Sequence, residues 1–575
     1  MAKQPGGNKI TTSSTAEYFS KNLQQVGFSS QTKAILTTLK EAVDNALDAC
    51  EENDILPEIL VTVDKKGAGS MKNSDQILVR VSDNGPGIEF EDIPKVFGEY
   101  LASSKFGKGR CSRGQQGIGI SAATTWAQLT SASGVRVITK TATMRKAISC
   151  VVEVDIKHNK GVVKDRSTLD WDRPTGTSVE FLVDGRVQLN GEAGLLNYLN
   201  GTALVNPHLT LHYKLPDLDV HTVARVTKDM PQVPEATEPH PHTMKLGEFI
   251  AHSHLFGRVT VGTWLKKGFS RVHEGVINDL VKAGCPKSTF EKSVDSLNEV
   301  SFKALFVALQ NLKLMAPSTK SVLSIGEEGF AKSIRRLGAV DFFSVVSRKP
   351  TICDFKPVQV EVAIARLEDK SLSSDSAVQV LRFANRVPLQ FDKASCAIVN
   401  AIETVSWRAY GISQSKDSIP QGPYIMAVSV VSPFIKFKNA SKETVDASDE
   451  LVEEIRRALI QAGQKLSKHI RKESKENELE EKIRHIEQFC PILIEGLCRL
   501  SEASPARKKR AEEGLVKILG RDAHTIKQEL DQAHAVLEAH QKKSKIKSSD
   551  TNSGTNSDER SEHRSVKIKD EAEVD

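Results

Sequence analysis

The sequence predicts a multidomain α+β protein, and three observations carry that expectation. The chain has 575 residues, more than one compact domain normally holds. Its first third reads as one amphipathic helix followed by strands that return through short turns, which implies a mixed sheet with helices on one face. A helical block and a second group of strands then follow, so further cores are needed. Hydrophobic residues at 39% and charged residues at 26% are enough to build them. The net charge of +6 permits a nucleic-acid partner without requiring one.

Residues 1–30 form a polar arm with apolar patches at Tyr18-Phe19 and Val26-Gly27-Phe28. A helix is expected from Thr32 to Cys50, because Ile35, Leu36, Leu39, Val43, Ala46, Leu47 and Cys50 recur on one helical face. A strand over Ile59–Val63, a loop over 64–75 and a strand over Ile77–Val81 come next, ending in the turn Asp83-Asn84-Gly85-Pro86-Gly87. A glycine-rich stretch covers 107–119, and strand-like runs lie at 135–139, 149–155 and 177–183. Prolines 231, 234, 239 and 241 mark a linker. From 245 to 316 the pattern is helical, with Leu280, Phe290, Phe302, Leu305, Phe306 and Leu309 at helix-like spacing. Strands resume at Val358–Ala365, Val378–Phe383 and Tyr424–Val431. A charged helix is expected to start near Asp449 and Glu450 with Ser448 as its cap, and helical pattern persists with breaks to about 540. The tail from 541 balances basic against acidic residues among Ser, Thr, Asn and Gly, and is expected to be disordered.

Several classes are disfavoured by composition. The eight cysteines include no CxxC pair and no zinc-site spacing, so they read as thiols of a reducing compartment. The pair His240 and His242, between prolines, reads as a solvated loop rather than a metal site. The N-terminus lacks the apolar core of a signal peptide, and no run is long and apolar enough to span a membrane. A cytoplasmic address is expected.

The helix from Thr32 to Cys50 also carries chemistry. At about 100° per residue, Glu41, Asn45 and Asp48 share the face opposite the apolar stripe. In Asp83-Asn84-Gly85-Pro86-Gly87-Ile88 the glycines allow a ligand close to the backbone, and the aspartate can accept a hydrogen bond from an exocyclic amine. Arg113-Gly114-Gln115-Gln116-Gly117-Ile118-Gly119-Ile120-Ser121 reads as a glycine-rich loop opening a helix, where free N–H groups and the helix dipole favour phosphate. Its spacing fits neither a Walker loop nor a dinucleotide fingerprint.

The succession ExxxNAxDA over 41–49, DNGPGI over 83–88, GQQGIG over 114–119 and Gly176-Thr177 before a strand resembles the GHKL ATPase superfamily, with its Bergerat-type α/β sandwich. The resemblance implies ATP and Mg²⁺ as cofactors. It makes Glu41 the general base for the attacking water, Asn45 the Mg²⁺ ligand and Asp83 the adenine-reading acid. Gly85 and Gly87 would shape the adenine pocket, and Thr177 would belong to the same nucleotide site. Ser104 and Lys105, with Gly114, Gln115, Gln116, Gly117, Ile118, Gly119, Ile120 and Ser121, would wrap the phosphates.

Within that superfamily the chain is similar over residues 10–475 to the B subunits of type IIB DNA topoisomerases (topoisomerase VI). The resemblance rests on the arm Ser14-Thr15-Ala16-Glu17-Tyr18-Phe19 to Gly27-Phe28, on RGQQGIGISAA, and on Trp264-Leu265-Lys266-Lys267-Gly268-Phe269-Ser270-Arg271-Val272 in a helix–two-turn–helix insert. It rests also on the strand pair in Arg382-Phe383-Ala384-Asn385-Arg386-Val387-Pro388-Leu389, and on Ser441-Lys442-Glu443. Ser441 stands where glycine is common in that loop. The resemblance implies an arm (1–30) that crosses to a partner protomer, an ATPase domain (31–230), a helix–two-turn–helix domain (231–320) and a transducer like ribosomal protein S5 domain 2 (321–475). A helical extension (476–540) and a disordered tail (541–575) complete the division. Lys442 would reach from the transducer to the γ-phosphate and act with Glu41 in catalysis.

None of the six tyrosines stands beside an acidic metal motif. Cleavage of DNA is therefore expected in trans, and the resemblance implies that a partner A subunit supplies it in an A2B2 heterotetramer, with double-stranded DNA as substrate. The ATPase domains would self-dimerise on ATP binding, and no membrane partner is expected. Such an enzyme would be cytoplasmic and nucleoid-associated. The basic stretches Lys105–Arg113 and Lys266-Lys267…Arg271 are candidates for backbone contacts to DNA. The alternative within the superfamily is an ATP-dependent DNA clamp or scaffold without strand cleavage.

Overall fold

The computed structural model describes residues 12–103, 109–114, 116–368, 375–439, 441–515 and 517. Ser104, Lys105 and Gln115 of the expected phosphate lid, and the expected tail from 541, lie outside the described residues. The chain separates into one unit from Met1 to Ile470 and a second from Arg471 onward.

Helix α1 (Thr15–Lys21) opens the first unit, capped by Ser14, whose hydroxyl accepts the Glu17 N–H. Leu23, Val26 and Phe28 are buried, and Phe19 stacks on Tyr100 with centroids 5.2 Å apart. The described part of the arm packs these side chains on this chain's own core, while Tyr18 stays exposed. Helix α2 (Gln31–Glu52) starts at the cap Ser30. Its predicted apolar stripe is buried throughout, but so are Thr38, Ala42, Asp44, Asp48 and Glu51. The helix is thus enclosed well beyond one stripe.

Strands β1 (Glu58–Ala68) and β2 (Asp75–Ser82) pair antiparallel. The loop expected over 64–75 is shorter than predicted: pairing runs on through Lys65–Ile77 and Ala68–Asp75 around a bulge. Backbone ladders continue there through polar residues that carry no hydrophobic signal. Helices α3 (Ile93–Gly98) and α4 (Gly119–Ser131) lead into β3 (Val135–Lys140), β4 (Ala147–Asp155), β5 (Lys160–Leu169) and β6 (Gly176–Gly185). Helix α5 (Leu195–Val205), β7 (Thr210–Lys214) and β8 (His221–Val223) complete the layer. The eight strands follow the order β5-β4-β3-β6-β2-β1-β7-β8, with β1 and β7 parallel and the other pairs antiparallel, a mixed sheet. Helices α2 and α4 pack on β6 and on each other, so the main core lies between them and the sheet.

The middle block holds α6 (Leu246–Ser253), α7 (Val261–Gly268), α8 (Glu274–Lys282), α9 (Lys287–Glu291) and α10 (Glu299–Asn311) around Phe249, Trp264, Leu280, Phe290, Phe302 and Leu309. The solvated loop expected at His240 and His242 is overturned. The two rings meet edge to face and both pack on the Phe355 ring. Their Nε2 atoms lie 3.2 Å from the carbonyls of Met315 and Leu309. An imidazole offers an apolar face along with its polar edge, so aromatic neighbours can bury it. Burial pushes His240 down to about 4.

Helix α11 (Glu327–Ile334) introduces the second sheet, made of β9 (Val340–Ser347), β10 (Thr351–Cys353), β11 (Lys356–Leu367), β12 (Gln379–Ala384) and β13 (Val387–Leu389). Helix α12 (Ala397–Thr404) and β14 (Tyr424–Val431) follow, and the order is β10-β11-β14-β12-β13 with β9 on β11. Helix α5 packs on both α11 and β13, which ties the two sheets together. The long helix α13 (Asp449–Leu500) begins where the sequence placed it, with the Leu451 N–H 3.4 Å from the Ser448 hydroxyl. Leu451, Ile455, Leu459 and Leu466 bury its first turns in the second core. In the second unit Ile486, Phe489, Ile492 and Leu493 are exposed. Among the described residues no helix is long and apolar enough to cross a membrane, and no cluster of three metal-ligating side chains occurs.

Candidate functional site

Two adjoining cavities lie along α2. The larger, about 250 Å³, is lined by Glu41 and Asn45 of α2, by Gly114, Gln116, Gly117, Ile118, Gly119 and Ile120, and by Lys442 from the second sheet's domain. The smaller, about 70 Å³, contains Asp83, Gly87 and Thr177. Asn45, Ala49, Ile88, Val96 and Ile120 line both, so the two form one elongated cleft.

At the inner end Asp83, the residue after β2, is buried. Its Oδ1 accepts the N–H groups of Gly85 (2.8 Å) and Thr177 (3.1 Å). Burial pushes the carboxyl up to about 6, against the pull of those two N–H groups. A Cβ on Gly85 would stand 2.9 Å from Asp83 Oδ1. Gly87 has φ +80°, and a Cβ there would overlap the Lys140 carbonyl. The turn is therefore built for glycine at both positions.

At the outer end the glycine loop leads into α4, whose N-terminus has no side-chain cap. Its N–H groups and dipole are thereby left for an anion. A Cβ on Gly119 would overlap the Glu41 carboxylate, and one on Gly114 would stand 3.2 Å from Asn45 Oδ1. Gly117 has φ +60°, and a Cβ there would stand 2.6 Å from the Ala102 carbonyl oxygen. These contacts fit a phosphate-bearing ligand: the loop lies directly on the face that carries the acid and the amide. The Asn45 amide oxygen suits a hard cation such as Mg²⁺. The Ser121 side chain turns away, donating to the Glu99 carbonyl at 2.8 Å. Lys442, with φ +55°, donates from Nζ to the Arg113 carbonyl at 2.8 Å.

Pattern reading missed a buried charge cluster next to the cleft. Arg113 donates from Nη1 to Asp48 (2.8 Å) and Glu51 (3.0 Å), and from Nη2 to Glu51 (2.7 Å) and Asn206 (2.6 Å). Arg386 forks onto the same Glu51 oxygens at 2.8 and 2.7 Å, and His208 Nε2 lies 2.9 Å from Oε1. Burial alone would raise Glu51, but the two guanidinium groups outweigh it and hold the carboxyl well below the usual range. Asp48, on the predicted polar face, is buried and receives the backbone N–H groups of Arg113 and Gly114, each at 3.2 Å. Arg113 therefore cannot serve DNA, as its basic stretch had implied: its side chain is fully enclosed. No local signal marks Arg386, because its partner lies 335 residues away.

Residues 31–183 match the family described as "Histidine kinase-, DNA gyrase B-, and HSP90-like ATPase", and residues 317–482 match "Topoisomerase VI B subunit, transducer". The B subunit of the type 2 DNA topoisomerase 6 of Archaeoglobus fulgidus is 35% identical over 493 residues, spanning 86% of this chain and 80% of that protein. Its counterpart from Methanococcoides burtonii is 34% identical, spanning 84% and 76%. The counterpart from Pyrococcus furiosus is 31% identical, spanning 80% and 86%.

Proposed function

The chain belongs to the family of type 2 DNA topoisomerase 6 B subunits, and on that premise we propose that it binds and hydrolyses ATP to drive double-strand passage through DNA cut by a partner A subunit. The observation that supports this most is the convergence in one cleft of an acid, an amide, an uncapped helix N-terminus and a lysine from the transducer.

The adenine is read by Asp83, whose second oxygen takes a hydrogen bond from the exocyclic amine while Oδ1 stays on Gly85 and Thr177. The phosphates lie along the glycine loop and the start of α4. Ser104, Lys105 and Gln115 are assigned to the same lid on the motif alone. Glu41 takes the proton of the attacking water. Asn45 would hold Mg²⁺, and that ion would supply positive charge to offset charge developing on the phosphates. Lys442 exchanges the Arg113 carbonyl for the terminal phosphate, and its release after hydrolysis lets the transducer turn. ATP binding closes two copies of this chain as a gate in an A2B2 assembly at the nucleoid.

Sedimentation of the full chain with a non-hydrolysable ATP analogue tests the site and the closure together. Monomer should convert to dimer only with analogue and Mg²⁺, and Asn45→Ala should abolish the shift. A chain that stays monomeric at saturating analogue would remove the gate.

A further inference from the structure

Arg386 occupies an unusual position. It forms with Asn385 the two-residue turn between β12 and β13, and both residues have positive φ, +63° and +47°. Turns of this kind favour glycine at the second place. Here that place holds an arginine with only 2% of its surface exposed. A strained backbone that carries a buried charge persists where the surroundings require it, and such strain gathers at working parts of proteins. Nor does packing alone account for the cluster. The Nε atoms of Arg113 and Arg386 both lack a hydrogen-bond partner among the described residues.

We propose that Arg386 is a positioning residue for the ATP reaction, fixing through Glu51 the loop residue Arg113 on which Lys442 docks. The geometry gives each link. Arg386 spans both Glu51 oxygens, and Arg113 spans the same two from its own side. The Arg113 backbone in turn touches the site twice: its N–H lies 3.2 Å from Asp48, and its carbonyl accepts Lys442 Nζ. The neighbouring Gly114 lines the cleft beside Asn45. The transducer therefore holds one loop residue by two routes, one through the side chain and one through the backbone.

Of these two routes, only the lysine can pass to a phosphate, because Arg386 and Glu51 do not line the cleft. When the lysine transfers, the Arg386–Glu51–Arg113 link keeps the loop registered to the transducer. A cavity of about 320 Å³ borders Arg386 and His208 and leaves room for the arginine to withdraw when the domains turn. This reading rests on the nucleotide site proposed above.

The test is a double-mutant cycle on steady-state ATP hydrolysis by the full chain, combining Arg386→Ala with Lys442→Ala. Arg386→Ala should lower kcat about tenfold and leave KM within about threefold, and in the Lys442→Ala background the same change should cost less than about twofold. Should Arg386→Ala fail to fold, Arg386→Lys enters the cycle under the same criterion, since it keeps a charge on Glu51 but loses the fork. Equal losses in both backgrounds, a loss carried by KM, or a wild-type kcat in the Arg386 variant would overturn the proposal while leaving the ATP site intact. A wild-type chain that hydrolyses no ATP would overturn the site itself and this inference with it.

Discussion

Asp83 and Glu41 mark the two ends of the cleft, and their surroundings give them different chemistry. Asp83 sits under protein, and its carboxyl is pushed up to about 6 by burial. The proposed adenine recognition uses the ionised form, so below that value binding must first displace a proton. Nucleotide affinity should therefore be flat above pH 6 and fall by up to about tenfold per pH unit below it. Titration calorimetry with an ATP analogue between about pH 5 and 8 measures this, and an affinity unchanged across that range would remove Asp83 from that role. Glu41, Asn45 and Asp83 could be picked out from sequence because a helical period and a strand-ending turn are local patterns. The same locality explains what could not be read. Nothing near Glu51 announces Arg386, and the value of Gly119 becomes visible only when Glu41 is seen against it.

Helix α2 is the element on which the site depends. Its apolar stripe holds it to the sheet, its middle presents Glu41 and Asn45 to the cleft, and its last turn carries Asp48 and Glu51 into the charge cluster. Hydrophobic periodicity located the stripe and the helix limits to within a residue or two, but it took the rest of the helix for a polar face. Buried carboxylates look solvated in a sequence when their partners arrive from a loop and from another domain. Removing the charge of Glu51 leaves two enclosed guanidinium groups facing each other, a change worth about 3–5 kcal/mol. Glu51→Gln should lower the melting temperature of the full chain markedly at neutral pH. The carboxyl is depressed in the folded state, so its contribution is present above the ordinary carboxylate range and lost as pH falls through the lowered value. The deficit of the variant should accordingly shrink in acid, and a melting temperature equal to wild type at neutral pH would contradict the balance described. Extended pairing of β1 past Val63 and the packing of His240 and His242 on Phe355 escaped the sequence reading for related reasons: ladder hydrogen bonds and ring stacking leave no periodic trace.

Across the whole molecule, two sheets meet through α5, α11 and β13, and the Lys442 loop bridges them at the cleft with the group proposed to exchange its partner for a phosphate. Lys33 and Glu443 form a second tie in the same loop, 3.1 Å apart. Such a joint gives ATP a means of moving one domain against the other, which is what a gate for a DNA segment requires. The succession of blocks could be followed in the sequence, whereas the joint could not, since each side contributes isolated residues. The most direct test is relaxation of supercoiled DNA by the purified chain with the A subunit, measured with and without ATP beside Glu41→Ala. The account predicts ATP-dependent relaxation that requires both proteins, and a Glu41→Ala variant that binds nucleotide yet loses hydrolysis by about 10²-fold or more. Hydrolysis of ATP by the chain with no relaxation in the presence of an active A subunit would contradict it, and would leave an ATP-driven clamp on DNA in its place.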